Sequence, residues 1–165
     1  IFSDSQQKLS KLNAGVNSAL ASTFVFGRAR TYILVCIPKT DINILAHEMS
    51  HAEFHCRIYE GKYSNTPLVP MWFDEGLAMQ IDYRELYNED AWQQMTDENT
   101  SLPELSELTA SAQFFAGDKE QRKRNYILAR HEVKLWHEEQ GREGLLRLTE
   151  GLHGGQTFEE LYDRN

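Results

Sequence analysis

One predicted helix constrains this chain more than any other feature, because it carries the pattern H-E-x-x-H at residues 47–51. The helix has clear limits in the sequence. Asp41 is a typical N-cap residue, and Gly61 is a typical residue just past a helix end, so the helix is predicted to run to about Glu60. In a chain with six histidines, a chance match to this pattern is expected far less than once.

The faces of this helix follow from a rotation of about 100° per residue. His47 and His51 share a face with Phe54 and Ile58, and Glu48 borders it. A second face of the helix is apolar and consists of Leu45, Met49, Ala52, Cys56 and Tyr59. We therefore expect a helix that is covered on two sides, with both histidines pointing inward.

The rest of the sequence predicts mostly helix with a small amount of strand. Thr31 to Ile37 is β-branched and apolar and is followed by Pro38, which predicts a strand. Further helices are predicted over residues 4–22, from Phe73 to about Tyr87, from Asn125 to Gln140 with Gly141 as a stop, and from there to about Leu152. The sequence thus predicts an α+β fold, organised as one domain over residues 1–165.

Charge and composition restrict the partners. A net charge of −8 argues against non-specific binding of nucleic acid, and no apolar run is long enough to predict a transmembrane segment. The chain begins at Ile1 rather than Met, so we expect a processed form that has lost a signal or anchor, and we favour an extracytoplasmic location. Cys36 and Cys56 are too few for a disulfide framework and are expected to be buried thiols.

A catalytic zinc site needs three protein ligands and one open position, so a third ligand must come from elsewhere in the chain. The best candidate is Glu75, near the start of the helix predicted in V-P-M-W-F-D-E-G-L-A-M-Q-I-D. Gly76 and Ala78 are small, and we expect them to let this helix pack close to the one that carries the histidines.

These two motifs together carry a family resemblance. H-E-x-x-H followed by W-F-D-E-G-L-A resembles the gluzincin metallopeptidases, in particular the aminopeptidase-N-like group and the short peptidase-MA-like domains. The resemblance implies a zincin-like fold with a small sheet next to the zinc-binding helix. It also implies that His47, His51 and Glu75 bind zinc and that Glu48 is the general base.

A second match concerns Tyr126, which lies fifteen residues before Gly141 on a predicted helix. The aminopeptidase-N-like family has a similarly placed tyrosine, and the resemblance implies that Tyr126 donates a hydrogen bond to the transition state. Two alternatives stay open. Tyr126 is a buried helix residue, or His131 is the donor, as a histidine is in thermolysin-like enzymes.

Departures from the family refine the expected activity. Nothing like the G-x-M-E-N segment that binds a substrate's free amine precedes His47, which favours an endopeptidase over an aminopeptidase. Asp82, on the same predicted helical face as Glu75, and Asp74 are candidates for a carboxylate that orients a zinc-binding histidine. If the strand Thr31 to Ile37 is a sheet edge, an extended peptide could pair with it.

The leading hypothesis is a zinc-dependent endopeptidase that acts on a peptide or protein substrate. In this hypothesis zinc would lower the pKa of a water molecule that attacks the scissile carbonyl, and Glu48 would take the proton and pass it to the leaving amine. One alternative is a zinc hydrolase for a non-peptide bond. The other is a zinc-binding module of the same fold with little turnover, acting as a binding or regulatory protein.

Overall fold

The computed structural model describes residues 2–4, 21–26, 30–60, 66–97 and 101–162. The chain forms two compact units, Ile1–Asn65 and Thr66–Asn165. Among its described residues, the first unit contains a three-stranded sheet and one helix, and the described part of the second is built from helices. The expectation of a helix-rich chain is confirmed, and the single domain over residues 1–165 stays a prediction.

The sheet of the first unit has the strand order β1-β3-β2, where β1 is Phe2–Ser3, β2 is Ala21–Phe26 and β3 is Arg30–Cys36. β3 pairs with β1 in parallel and with β2 antiparallel. The predicted strand is therefore present, and strands pair with it on both sides. β3 thus does not meet the condition of a free edge to which an extended peptide could pair. The helix predicted over residues 4–22 falls almost wholly outside the described residues, and its last two positions begin β2.

Helix α1, Ile42–Ile58, follows β3 after a short 3-10 turn. Asp41 is its N-cap, as predicted, and the Asp41 carboxylate accepts a hydrogen bond of 2.9 Å from the Ile44 amide. The buried residues are those of the predicted histidine face, joined by one residue from the first turn. They are Ile44, His47, Glu48, His51, Phe54 and Ile58.

The second, apolar stripe of α1 is only partly covered. Met49 is 55% exposed and Cys56 is also exposed, so the expectations of a helix buried on two sides and of two buried thiols are wrong. Within the first unit, α1 packs on the sheet. Cys36, on β3, is buried as expected.

The second unit contains helices of very different length. They are α2 at Met71–Ala78, α3 at Glu89–Asp97, α4 at Ser111–Phe114, α5 at Lys119–Gly154 and α6 at Phe158–Tyr162, with 3-10 turns at Met79–Ile81, Glu85–Tyr87 and Leu105–Leu108. No helix among the described residues is both long and apolar enough to cross a membrane.

The helix predicted from Phe73 to about Tyr87 ends much earlier, at Ala78. The backbone becomes extended at Asp82, and this residue is fully buried. The guanidinium of Arg84 holds the Asp82 carboxylate through several hydrogen bonds, and Arg130 donates to the Asp82 carbonyl at 2.7 Å. The carbonyl that a longer helix would use internally is thus bound to α5.

Helix α5 consists of two helical segments that meet at Gly141. This glycine has φ 62° and ψ −169°, a conformation that other residues rarely adopt. The predicted stop at Gly141 and the further helix beyond it are therefore confirmed. The second segment ends at Gly154, and Gly155 forms a left-handed C-cap with φ 97°.

Helix α2 lies directly against α5 at Gly76. A Cβ atom added to Gly76 would overlap the Ala129 carbonyl oxygen and would lie 2.6 Å from Val133 Cγ2. This small residue therefore permits a close approach of α2 to α5. The close packing on the histidine helix that the sequence led us to expect stays a prediction. Phe73 and Trp136 continue the same packing, with ring centroids 5.4 Å apart.

We expect Gly76→Ala to lower the free energy of unfolding by about 3 kcal/mol, at the upper end of overpacking costs, because a rigid backbone carbonyl meets the new methyl group. Gly154→Ala is the matched control, since an added Cβ there meets nothing within 4 Å. It should leave stability unchanged or raise it by about 0.5 kcal/mol. Urea denaturation of both variants measures the difference. Equal stability of the two would contradict the described contact.

Candidate metal centre

The two histidines of the motif converge on each other. His47 Nε2 and His51 Nε2 are 3.1 Å apart, and their rings meet edge to face at 76°. Two zinc-bound nitrogens with ordinary bond lengths and a tetrahedral angle would be about 3.3 Å apart. The pair fits that separation, and the same distance also suits a hydrogen bond between two neutral rings.

Glu48 is buried beside the histidines, and a residue of the sheet forms a hydrogen bond with it. The Thr23 hydroxyl of β2 lies 2.6 Å from Glu48 Oε2 and 2.9 Å from the Glu48 carbonyl oxygen. Sequence reasoning did not single out Thr23. The available signal was weak, namely a hydroxyl residue at a position where the alternation along β2 calls for an inward side chain.

Glu75 lies on α2, a helix whose residues from Trp72 to Ala78 are all buried. Asp74 precedes it and is buried as well. Burying a carboxylate is costly unless hydrogen bonds, opposite charges or a metal ion compensate for the lost hydration. Two successive buried carboxylates on a short apolar helix therefore require such compensation from their surroundings.

The described residues include buried histidine and carboxylate groups that could hold a metal ion. His47 and His51 are brought together within the first unit, and Glu75 lies in the second unit.

Tyr126, the predicted hydrogen-bond donor, lies in the first half of α5 and is partly exposed. Its ring contacts those of Tyr87, Phe114 and Phe115, with centroid distances of 5.5, 5.2 and 6.3 Å. These contacts hold the phenol ring from three sides, and they are equally compatible with the alternative of a helix residue that serves packing.

Tyr87 is a neighbour of Tyr126 that sequence reasoning missed. Burial raises the pKa of the Tyr87 phenol, Arg84 opposes the rise, and the negative charges of Asp82 and Glu75 add to it. Tyr87 thus keeps its proton and lies within the electrostatic reach of Glu75. No sequence signal marked it, because it stood at the end of a predicted helix.

His131, the competing donor, packs between α5 and α3. Its ring stacks on Trp92 at a centroid distance of 3.7 Å and an angle of 9°, and His131 Nδ1 lies 3.9 Å from a Glu89 carboxylate oxygen. Burial lowers the pKa of His131, and the Glu89 charge opposes that effect. Glu89 also accepts a 2.7 Å hydrogen bond from Lys134.

The two candidate orienting carboxylates differ in their surroundings. Asp82 does not continue the helix of Glu75, so the shared helical face predicted for it is wrong, and its carboxylate is bound by Arg84. Asp74 lies on α2 directly before Glu75 and stays the better candidate.

We found no match to this chain among protein-family models, among curated proteins or among solved structures. Support for a function therefore comes from the two motifs and from the local geometry of the described residues.

Proposed function

We propose that this protein is a zinc metallopeptidase of the gluzincin type with a zincin-like fold. His47, His51 and Glu75 would hold the metal, and Glu48 would act as the general base. The observation that carries the proposal is the convergence of His47 Nε2 and His51 Nε2 to 3.1 Å on the buried face of α1 that also carries Glu48. The packing of α1 on a small sheet supports the finer fold assignment.

The donor set suits zinc. Imidazole nitrogens and a carboxylate oxygen are the ligands of catalytic zinc sites, and three of them leave a position open. When bound, zinc would supply Lewis-acid chemistry, polarising a carbonyl oxygen and making water acidic near neutral pH. One carboxylate neutralises only half of the ion's charge, which favours this effect.

The chain's own groups perform the proton transfers. Glu48, adjacent in sequence to the ligand His47, would take a proton from the attacking water and give it to the leaving amine. Tyr126 would donate a hydrogen bond to the oxyanion that forms on the scissile carbonyl. The stacking of His131 on Trp92 gives that histidine a packing role and supports Tyr126 as the donor.

An endopeptidase is favoured over an aminopeptidase because no glutamate that could anchor a free amine precedes His47 in the segment before α1. Since β3 lies inside the described sheet, a substrate strand would have to pair elsewhere, for example with β2. The alternative is a zinc-binding module of the same fold with little turnover. The presence of Glu48 favours hydrolysis over that alternative.

The test combines a measurement of zinc content with a digest of a peptide library. The purified full chain should contain about one zinc per molecule. It should cleave internal bonds in a peptide library with blocked ends at least as well as it releases dyes from free aminoacyl reporters. A clear preference for the aminoacyl reporters would overturn the endopeptidase assignment, and zinc binding with no cleavage of either probe would favour the binding module.

We expect Tyr126→Phe to lower kcat about a hundredfold, because a donor to the oxyanion contributes roughly 3 kcal/mol in the transition state. KM and zinc content should barely change, since ground-state contacts are kept. Tyr87→Phe and His131→Ala are matched controls on the neighbouring ring and on the same helix. Steady-state kinetics, zinc content and melting temperature should be measured for all three variants.

A silent Tyr126→Phe with at most a small loss of stability would assign that tyrosine to packing. A fall in kcat for Tyr87→Phe or His131→Ala instead would move the donor role to the residue concerned.

A further inference from the structure

Thr23 is placed where an apolar residue would ordinarily lie. Residues opposite each other in an antiparallel pair point to the same face, so Thr23 shares its face with Ile33, and the next pair on that face is Ala21 and Val35. Ala21 and Val35 are buried. The hydrogen bonds to Glu48 identify this as the face toward α1.

The hydroxyl has a specific partner on that face. A hydroxyl carries one proton, so Thr23 can donate either to Glu48 Oε2 at 2.6 Å or to the Glu48 carbonyl at 2.9 Å. The shorter contact lies in the range of a charge-assisted O–H···O⁻ hydrogen bond. A valine at this position would have nearly the same shape and would lack this bond.

We propose that Thr23 is the positioning residue of Glu48, fixing the carboxylate of the base through the hydrogen bond from Thr23 Oγ1 to Glu48 Oε2. This inference rests on the proposed function and adds a residue that neither motif contains. Thr23 acts through Glu48 and not on the substrate.

The proton balance follows from the two carboxylate oxygens. The Thr23 proton stays on its own oxygen and is only shared with Oε2. The other oxygen, Oε1, takes the proton that leaves water as the new C–O bond forms, and it returns that proton to the amine nitrogen as the C–N bond breaks. No other reactant is required, and Glu48 ends as it began.

The experiment uses two substitutions at one position in the full chain. Thr23→Val removes the hydroxyl at nearly constant shape, and Thr23→Ser keeps it. With the blocked peptide library, we expect Thr23→Val to lower kcat by about tenfold or more, because small displacements of a catalytic group are costly. KM and zinc content should stay the same, and Thr23→Ser should recover most of the rate.

Thr40→Val is the matched control. It also removes a threonine hydroxyl from the first unit, one that donates to the Cys36 carbonyl at 2.9 Å. Its melting temperature should fall while kcat is retained. A fall in kcat of the same size in Thr40→Val would overturn the inference, because the effect of Thr23→Val would then be a general loss of stability.

A second readout does not depend on turnover. Acetohydroxamic acid binds zinc through two oxygens and needs a nearby acceptor for its N–OH proton, so its affinity reports the placement of Glu48. Calorimetry on zinc-loaded protein should show several-fold weaker binding in Thr23→Val and near wild-type binding in Thr23→Ser. Wild-type affinity in both variants would overturn the inference.

Failure of the inference differs from failure of the proposed function. If wild-type protein binds zinc and cleaves peptides while Thr23→Val is silent in kcat and in hydroxamate binding, the positioning role alone is overturned. If the wild type binds no zinc, the proposed function is overturned and this inference with it.

Discussion

Glu48→Gln is expected to leave the chain folded and able to bind zinc while lowering kcat about a thousandfold, within the range known for general acid–base catalysis. Glutamine keeps the shape of the side chain, and its amide oxygen can still accept the hydrogen bond from Thr23. It cannot accept a proton from water at neutral pH. The loss should therefore appear in turnover of the blocked peptide library and not in zinc content or melting temperature.

Glu53→Gln provides the control for Glu48→Gln. Glu53 lies on the same helix, is exposed and forms an ion pair with Arg57, with a hydrogen bond of 2.7 Å. The substitution makes the same change of charge, and exposed pairs of this kind contribute little to stability. If Glu48→Gln still cleaves within about tenfold of the wild type, roughly 1.4 kcal/mol in the activation free energy, Glu48 is not the base.

Removal of a proposed zinc ligand is the second substitution for which we expect a large effect. His47→Ala, His51→Ala and Glu75→Ala should each weaken zinc binding by more than about a hundredfold, because even the loss of groups that only orient ligands costs 10- to 100-fold. Competition with a fluorescent chelator measures the affinity, and turnover should fall with zinc occupancy.

Substitutions of two other histidines test whether the loss of zinc affinity is specific to the proposed ligands or follows from the loss of any imidazole. His137 is exposed on α5, and His137→Ala should not change zinc affinity. His55 lies one turn beyond His51, with ring centroids 5.8 Å apart, and His55→Ala should keep tight binding. Full zinc occupancy in Glu75→Ala, joined to a loss in His55→Ala, would exclude the gluzincin ligand set.

Features that depend on neighbours in sequence were predictable. The Asp41 cap, the inward face that carries His47 and His51, and the break at Gly141 follow from side-chain chemistry and helical periodicity within a few residues. The exposed position of Met49 did not follow, because periodicity shows which residues share a face and not which faces are covered.

Features that depend on distant residues could not be predicted. The early end of α2 involves Arg130, which lies 48 residues after the carbonyl that it binds. The contact between Thr23 and Glu48 joins residues 25 apart. The central position of β3 depends on two flanking strands, and one of them has only two residues.

The contact at Gly76 has a consequence for the carboxylate next to it. Because the backbone of α2 touches the backbone of α5 there, Glu75 projects from a helix that cannot shift without displacing its neighbour. A ligand on such a support loses little conformational entropy when a cation binds. If Glu75 is a metal ligand as proposed, it is thus preorganised, and a substitution that loosens the contact between α2 and α5 would weaken metal affinity while leaving the proposed ligand atoms in place.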